Sequence, residues 1–296
     1  MDAPLTTSIT LKDHVYATLR LAGPIVMARA GWMILSLVDI LMVGRYSTAD
    51  LAYLSLASSV ISVAYVSMMG MMMGTLVISS NLYGEGRRSE IGAVWRRSLP
   101  MAIVLGCMVL ALTLCAEPLL LWTGQDPVVA RETGRVMLIY GYGMPLGGLV
   151  YVTSQYFLEG IKRPIPAMVL MIFANLINIP LNWLFIYGHG GFEPMGAAGA
   201  AWSTAIIRNL LAAGIVYYIW TMADARALGL RTRYTAGFRA WAEQRRIGYA
   251  TGLSFGIEHV SFVMLFIFAG LLGTLDLAAV TIVFNTFAAF FMTASG

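Results

Sequence analysis

Apolar residues in this chain fall in long unbroken stretches rather than alternating with polar ones. Eight such stretches occupy 19–43, 51–82, 99–122, 136–158, 167–187, 196–220, 248–272 and 277–296. A run of about 20 apolar residues is long enough to cross roughly 30 Å of hydrocarbon as a helix. Because a helix satisfies its own backbone groups, the pattern predicts a bundle of membrane-spanning helices. A β-barrel would show alternating segments of about ten residues, and none occurs here. Short polar joints make neighbouring spans antiparallel. The expected fold class is an all-α polytopic membrane protein.

The polar interruptions suggest an organisation. The longest, 221–247, carries six arginines with Phe238 and Trp241 and reads as a cytoplasmic linker with an amphipathic surface helix. It separates a six-helix lobe, 1–220, from a partial second lobe, 248–296. A weak repeat points the same way. Asp50-Leu51-Ala52 recurs as Asp276-Leu277-Ala278, an offset of 226 residues, and extending it pairs Ser55 with Thr281 and Gly70 with Gly296. Gly44 answers Gly273, with a three-residue gap, so spans one and seven are counterparts. Two six-helix halves in one orientation are a plan of many secondary transporters. Two copies would need about 450 residues, so the chain is expected to be a fragment, one complete lobe plus the first two helices of a pseudo-symmetric second. Chance recurrence of Asp-Leu-Ala is the alternative.

Composition agrees: 59% of the 296 residues are hydrophobic and mean hydropathy is +0.76. Soluble domains hold roughly 45 to 50% apolar residues. The net charge of +4 would suit nucleic acid, but its distribution says otherwise. With the amino terminus in the cytoplasm, Lys12, Arg20, Arg87, Arg88, Arg96, Arg97, Lys162, Arg163, Arg226, Arg231, Arg233, Arg239, Arg245 and Arg246 fall inside. Only Arg45, Arg131 and Arg135 fall outside. The positive-inside rule then sets the orientation, in an inner or plasma membrane, and accounts for the basic charge without a polynucleotide partner. The first 18 residues lack a cleavable-signal pattern, so span one is retained, and 10–20 reads as a short interfacial helix. Cys107 and Cys115, eight positions apart on span three, point about 80° away from each other; they suit small core residues rather than a disulfide or metal site.

Asp39 is a lone carboxylate inside span one, and an ionisable group at that depth marks a functional site. A carboxylate removed from water holds its proton more tightly, so small changes around it load or release a proton or cation. In span five Asn175, Asn178 and Asn182 recur at i, i+3 and i+7, on one helix face. Pro180 among them frees the carbonyl of Leu176, which is tolerated only where it faces protein or water. Asp39 lies five residues before Gly44, Asn182 six before Gly188, and Thr204 eight after Gly196. Asp39, Asn182 and Thr204 therefore share one layer in the outer half of the bundle. The alternative for the asparagines is structural glue, with modest energy of about 0.6 kcal/mol each.

These residues carry a resemblance. Val38-Asp39-Ile40-Leu41-Met42-Val43-Gly44, closing the run from Pro24, resembles the first helix of the multidrug and toxic compound extrusion (MATE) transporters. Asn178-Ile179-Pro180-Leu181-Asn182, continuing to Gly188, and Gly196-Ala197-Ala198-Gly199, continuing to Thr204, resemble that family's fifth and sixth helices. Leu82-Tyr83-Gly84-Glu85-Gly86 and Phe157-Leu158-Glu159-Gly160 resemble its cytoplasmic turns. The resemblance covers essentially the whole chain. It implies an antiporter that exports organic cations or other amphipathic compounds in exchange for H⁺ or Na⁺ by rocking of two six-helix lobes. It implies no cofactor beyond that coupling ion, lipid and small amphipathic substrates as partners, and a monomer when full length. Asp39 matches the acid of the proton or cation site, with Asn178, Asn182 and Thr204 as its polar neighbours. Some members carry Asp at the Asn182 position.

Glu258 in span seven is a second deep acid, about one turn from where a branch of the family places a cation-binding glutamate. With Asn175 it forms a further polar candidate. Counted from the repeat glycines, Arg29 and Glu258 occupy equivalent positions, fifteen residues before Gly44 and Gly273. They are therefore candidates for an inter-lobe latch; pairing of each within its own lobe is the alternative. Arg208, mid-span six, has no assignable partner, and interior carbonyls are the expected ones. Trp32, Tyr65, Met68 and Tyr140 offer aromatic and thioether faces suited to a permissive substrate surface. Gly70-Met71-Met72-Met73-Gly74 and Gly143-Met144-Pro145-Leu146-Gly147 allow close helix approach, and Pro145 should kink span four. His14, His189 and His259 are scattered, and no zinc-hydrolase or phosphate-cradling motif occurs, so an enzyme is not expected. A lipid-linked precursor flippase of the same broad superfamily and an inactive membrane fragment are the alternative functions.

Overall fold

The computed structural model of the chain describes residues 11–232, 241–272 and Val283, and among them every regular element is helical. Nine α-helices follow one another: α1 (Leu11–Tyr46), α2 (Thr48–Gly84), α3 (Arg88–Leu114), α4 (Ala116–Trp122), α5 (Pro127–Tyr142), α6 (Leu149–Gly160), α7 (Ile165–Tyr187), α8 (Ala197–Thr221) and α9 (Ala242–Leu272). Five helices are long and apolar enough to cross a membrane, at 20–46, α2, α3, α7 and α8, and the bent pair α5 and α6 makes a sixth. Span eight apart from Val283, the linker residue Phe238, and Asp276 with the other repeat partners from Gly273 onward lie outside the described residues.

Local chemistry sets the ends of these helices. Ser47 caps α2 by accepting from the Asp50 amide, and Asp126 caps α5 from its side chain with Pro127 in the first turn. The α2–α3 turn is braced by Arg87, which bonds Glu90 at 2.8 Å and Glu85 at 2.9 Å. These contacts, Glu90 first, raise the hold of the Arg87 guanidinium on its proton. Gly188 closes α7 in the left-handed region at φ 74°. Asp50 also reaches the start of α8, where it accepts from the Ala197 amide at 2.9 Å.

The kink expected at Pro145 takes a definite form. Proline lacks an amide donor, and the ladder slips by one residue into a π turn, Met144–Gly148, where the Gly148 amide bonds the Gly143 carbonyl at 2.8 Å. The two halves of span four are bent by 43° at this break. Other expectations are corrected. The segment 10–20 is no separate interfacial helix, because Leu11 onward is continuous with α1 through Pro24. Pro180 likewise sits inside an unbroken α7, and Leu176 is exposed rather than facing the bundle interior. Cys107 and Cys115 are free and exposed, not core residues.

In a bundle of this kind the outer faces are as apolar as the inner ones, as exposed Leu37, Leu41, Phe173, Leu176 and Trp183 show. Close packing and polar bonds, rather than apolar burial alone, must then hold the helices together. A tight seam joins α2 and α9. A side-chain carbon added at Gly70 would come within 2.8 Å of Gly252 Cα, and one at Gly74 or Gly248 would collide with the backbone of Gln244 or Met71. Gln244 is buried and threads from α9 into a polar knot, bonding Ser98 at 2.7 Å and Thr75 at 3.2 Å. Thr75 in turn meets Ser98 at 2.6 Å and Thr153 at 3.0 Å. The segment after α8 docks on α3, with Leu228 and Leu230 buried and the Gly92 amide bonded to the Leu228 carbonyl at 2.7 Å.

This seam makes a prediction. Gly74→Leu should lower the thermal midpoint of the purified protein, with an overpacking cost of about 1–3 kcal/mol. Gly84→Ala, where nothing lies within 4 Å, should leave it unchanged. Equal midpoints for the two variants would contradict the seam.

Candidate functional site

Three helices deliver the polar layer. α1 supplies Asp39, α7 supplies Asn178 and Asn182 one turn apart, and α8 supplies Ser203 and Thr204. Asp39 is 4% exposed and both asparagines are fully buried. The Asp39 Oδ1 atom accepts from Asn182 Nδ2 at 2.6 Å and from Asn178 Nδ2 at 3.3 Å. Its Oδ2 atom accepts from Thr204 Oγ1 at 2.7 Å. Behind this contact Asn182 Nδ2 bonds Asn178 Oδ1 at 3.1 Å, and Asn178 Nδ2 bonds Ser203 Oγ at 3.2 Å. The carboxylate is thus met by neutral donors, and among the described residues it forms no ion pair. Asn182 Oδ1 is buried without a partner.

The layer is one rung of a longer zip between α1 and α7. Below it Asn175 Nδ2 bonds the Gly31 carbonyl at 3.1 Å and the Met171 carbonyl at 2.9 Å. Above it the Tyr187 hydroxyl bonds the Met42 carbonyl at 2.9 Å. Asn175 therefore joins backbones rather than the Asp39 cluster, although all three asparagines share a helix face.

Asp39 also forms part of the wall of a cavity of about 180 Å³, lined by Trp32, Leu35, Ser36, Ser58, Ile61, Ser62, Tyr65, Tyr140, Thr204 and Arg208. Thr204 lines the same wall as Tyr140 and also bonds Asp39, which ties the aromatic wall to the Asp39 layer. Trp32 packs on Tyr65 at 6.5 Å and edge-on to Tyr151 at 5.9 Å. Of the four residues expected to form a substrate surface, Trp32, Tyr65 and Tyr140 converge on this cavity. Met68 does not line it; its side chain is buried in the core.

Arg208 corrects its expectation most clearly. Its guanidinium meets no carbonyl but lies over the rings of Tyr65, Tyr140 and Trp32 at 5.2, 5.6 and 5.8 Å, with Nη1 3.7 Å from Met144 Sδ. Helical side chains lean toward the helix amino terminus, so Arg208 reaches back toward Thr204, one turn earlier on the same face. That i, i+4 spacing was the available signal. Gly147 makes room, since a side chain there would meet Arg208 Cβ at 2.8 Å. Ser203, Ser58 and Ser36 carried no comparable signal.

Arg29 and Glu258 are not brought together as a latch in this arrangement. Arg29 lies within electrostatic reach of Glu159 and Tyr156 on α6, and Glu258 is exposed on α9. Glu159, within the Phe157–Gly160 turn motif, is a largely buried acid that accepts from Gln155 at 2.7 Å. Among the described residues no group of three or more His, Cys, Asp or Glu could hold a metal ion.

Fold and site together define a multi-pass helical membrane protein with a neutral-bonded carboxylate opening on a cavity inside the bundle. The chain belongs to the MATE family: the family model MatE matches residues 24–184. It is 34% identical over 279 residues to the "Probable multidrug resistance protein NorM" of Caulobacter vibrioides, covering 94% of this chain and 59% of that protein. It is 29% identical to the "Multidrug resistance protein PmpM" of Pseudomonas aeruginosa, covering 92% of this chain and 57% of the relative. Among solved structures, the eukaryotic MATE transporter AtDTX14 superposes with a TM-score of 0.83 at 18% identity, covering 94% of this chain and 62% of that one. An outward-facing multidrug resistance MATE family transporter gives 0.78 at 18% identity, covering 93% and 60%. The chain spans about three fifths of the length of the relatives it matches.

The bonding predicts a graded response. Asn182→Leu removes the shortest bond to a buried carboxylate and should cost about 1–3 kcal/mol of stability, read as a lowered thermal midpoint. The same loss should be largely suppressed in an Asp39→Leu background, where no carboxylate is left unsatisfied. Additive losses in the double variant would contradict the direct bond.

Proposed function

We propose that the protein is part of, or constitutes, a secondary antiporter that exports amphipathic compounds, organic cations among them, in exchange for H⁺ or Na⁺. The observation that carries this reading is the Asp39 carboxylate, buried, bonded only by neutral donors and open to the cavity. A salt bridge would lock such a charge, whereas amides and hydroxyls re-pair.

Loading works through hydrogen-bond direction. An ionised carboxylate only accepts, so it satisfies Asn178, Asn182 and Thr204 at once. A protonated one must donate from one oxygen. The Thr204 hydroxyl can turn to accept, and the unpartnered Asn182 Oδ1 is a second acceptor within the same cluster. Na⁺ would use the same oxygens, a hard-ligand set of carboxylate, amide and hydroxyl. Either ion therefore rearranges the bonds that join α1 to α7 and α8, and a cationic cargo group in the cavity competes with it for Asp39. Rocking of two lobes about this layer would give access alternately to each side. The working setting is a plasma membrane, with the amino terminus in the cytoplasm as the basic residues indicate and the lipid itself as the partner surface.

The test is dye efflux from cells or vesicles under an imposed pH or Na⁺ gradient. Wild-type efflux should follow the gradient, and Asp39→Asn should fall to the background of membranes lacking the protein. Asp39→Asn efflux at the wild-type rate, or wild-type efflux indifferent to both ions, would overturn the coupling.

A further inference from the structure

The cavity holds two opposite charges whose bonding needs differ sharply. Asp39 already accepts three hydrogen bonds. Arg208 has five N–H donors to place, yet it makes only the long contact to Met144 Sδ, and its Nε is buried with no partner. Neither charge neutralises the other by direct contact, since among the described residues they form no ion pair. Three aromatic rings crowd the guanidinium, so the protein's own cation already occupies the π surfaces that would otherwise attract a cationic cargo. What remains unfilled is the donor edge of Arg208, and a planar fork of N–H groups matches a carboxylate.

We infer that Arg208 selects the cargo, taking a carboxylate on its donor edge while the cargo's cationic group faces Asp39, so that zwitterionic amphiphiles are preferred over simple organic cations. This rests on reading the cavity as the cargo site. The two ends then act separately. The cationic group competes with the coupling ion at Asp39, and the carboxylate anchors the molecule whichever ion Asp39 holds. A cargo with only the cationic group would leave Arg208 unsatisfied and meet its like charge across the cavity.

The experiment is equilibrium binding to the purified full chain in detergent, read by fluorescence anisotropy. It compares a rhodamine bearing a free benzoate with its methyl ester, which keep the same cationic ring system. Wild type should bind the benzoate dye about tenfold or more tightly, the scale of a charge-assisted fork. Arg208→Gln should abolish the difference, and Arg208→Lys, which keeps the charge but not the fork, should fall between. The wild-type comparison needs no variant and is decisive on its own. Equal affinities, preference for the ester, or no binding of either dye would overturn the inference, as would a preference that survives in folded Arg208→Gln. Loss of ion coupling with the dye preference intact would sink only the antiport reading; coupled efflux without the preference would sink only this one.

Discussion

A carboxylate carried into an apolar bundle must find donors, because a buried charge left unmet costs several kcal/mol. Asp39 finds three, all neutral, and they come from two other helices. That requirement fixes geometry. Asn178 and Asn182, one turn apart, can hold the same oxygen only if α1 passes α7 at one height, and Thr204 then sets the position of α8. The backbone bonds of Asn175 to Gly31 and Tyr187 to Met42 extend the same register along α1 and α7. The buried acid therefore organises the packing that surrounds it.

The rest of the structure shields this layer and opens it on one side. The π turn at Met144–Gly148 bends span four, and Gly147 lies against Arg208 there. Arg208 is positioned among three rings, near enough for its charge to act on Asp39 but not to pair with it. Gln244 stitches α9 into the knot of Thr75, Ser98 and Thr153, none of which lines the cavity. The bonds that can re-pair around Asp39 thus sit at the cavity, whereas the seam between α2 and α9 joins close glycine contact to the Gln244 knot.

Much of this was legible because apolar length and position along a span translate directly into depth. Counting back from Gly44 and Gly188, and forward from Gly196, placed Asp39, Asn182 and Thr204 in one layer. Counting failed where a side chain's reach exceeds the rise of its helix. The backbone of Arg208 lies mid-span, but its side chain leans a turn toward Thr204. Hydropathy also hid helical extensions that carry charge. α3 begins at Arg88 rather than near Leu99, because Ile91, Val94, Trp95 and Ser98 form a buried stripe beside exposed and half-buried arginines. α9 begins at Ala242, which turned Gln244 from a linker residue into a buried one. Asn175 and Met68 show the remaining gap: spacing gives a face, but only packing says whether that face meets a backbone, a core or a cavity.

The central claim is that Asp39 itself loads and releases the coupling ion, and vibrational spectroscopy addresses that group directly. An infrared difference spectrum of the purified protein between acidic and alkaline buffer should show a protonated-carboxyl C=O band replaced by carboxylate bands. In Asp39→Asn that feature should be missing while the other carboxyl signals persist. Addition of Na⁺ at fixed pH should shift the same band if sodium shares the site. A difference spectrum unchanged by Asp39→Asn would contradict the account.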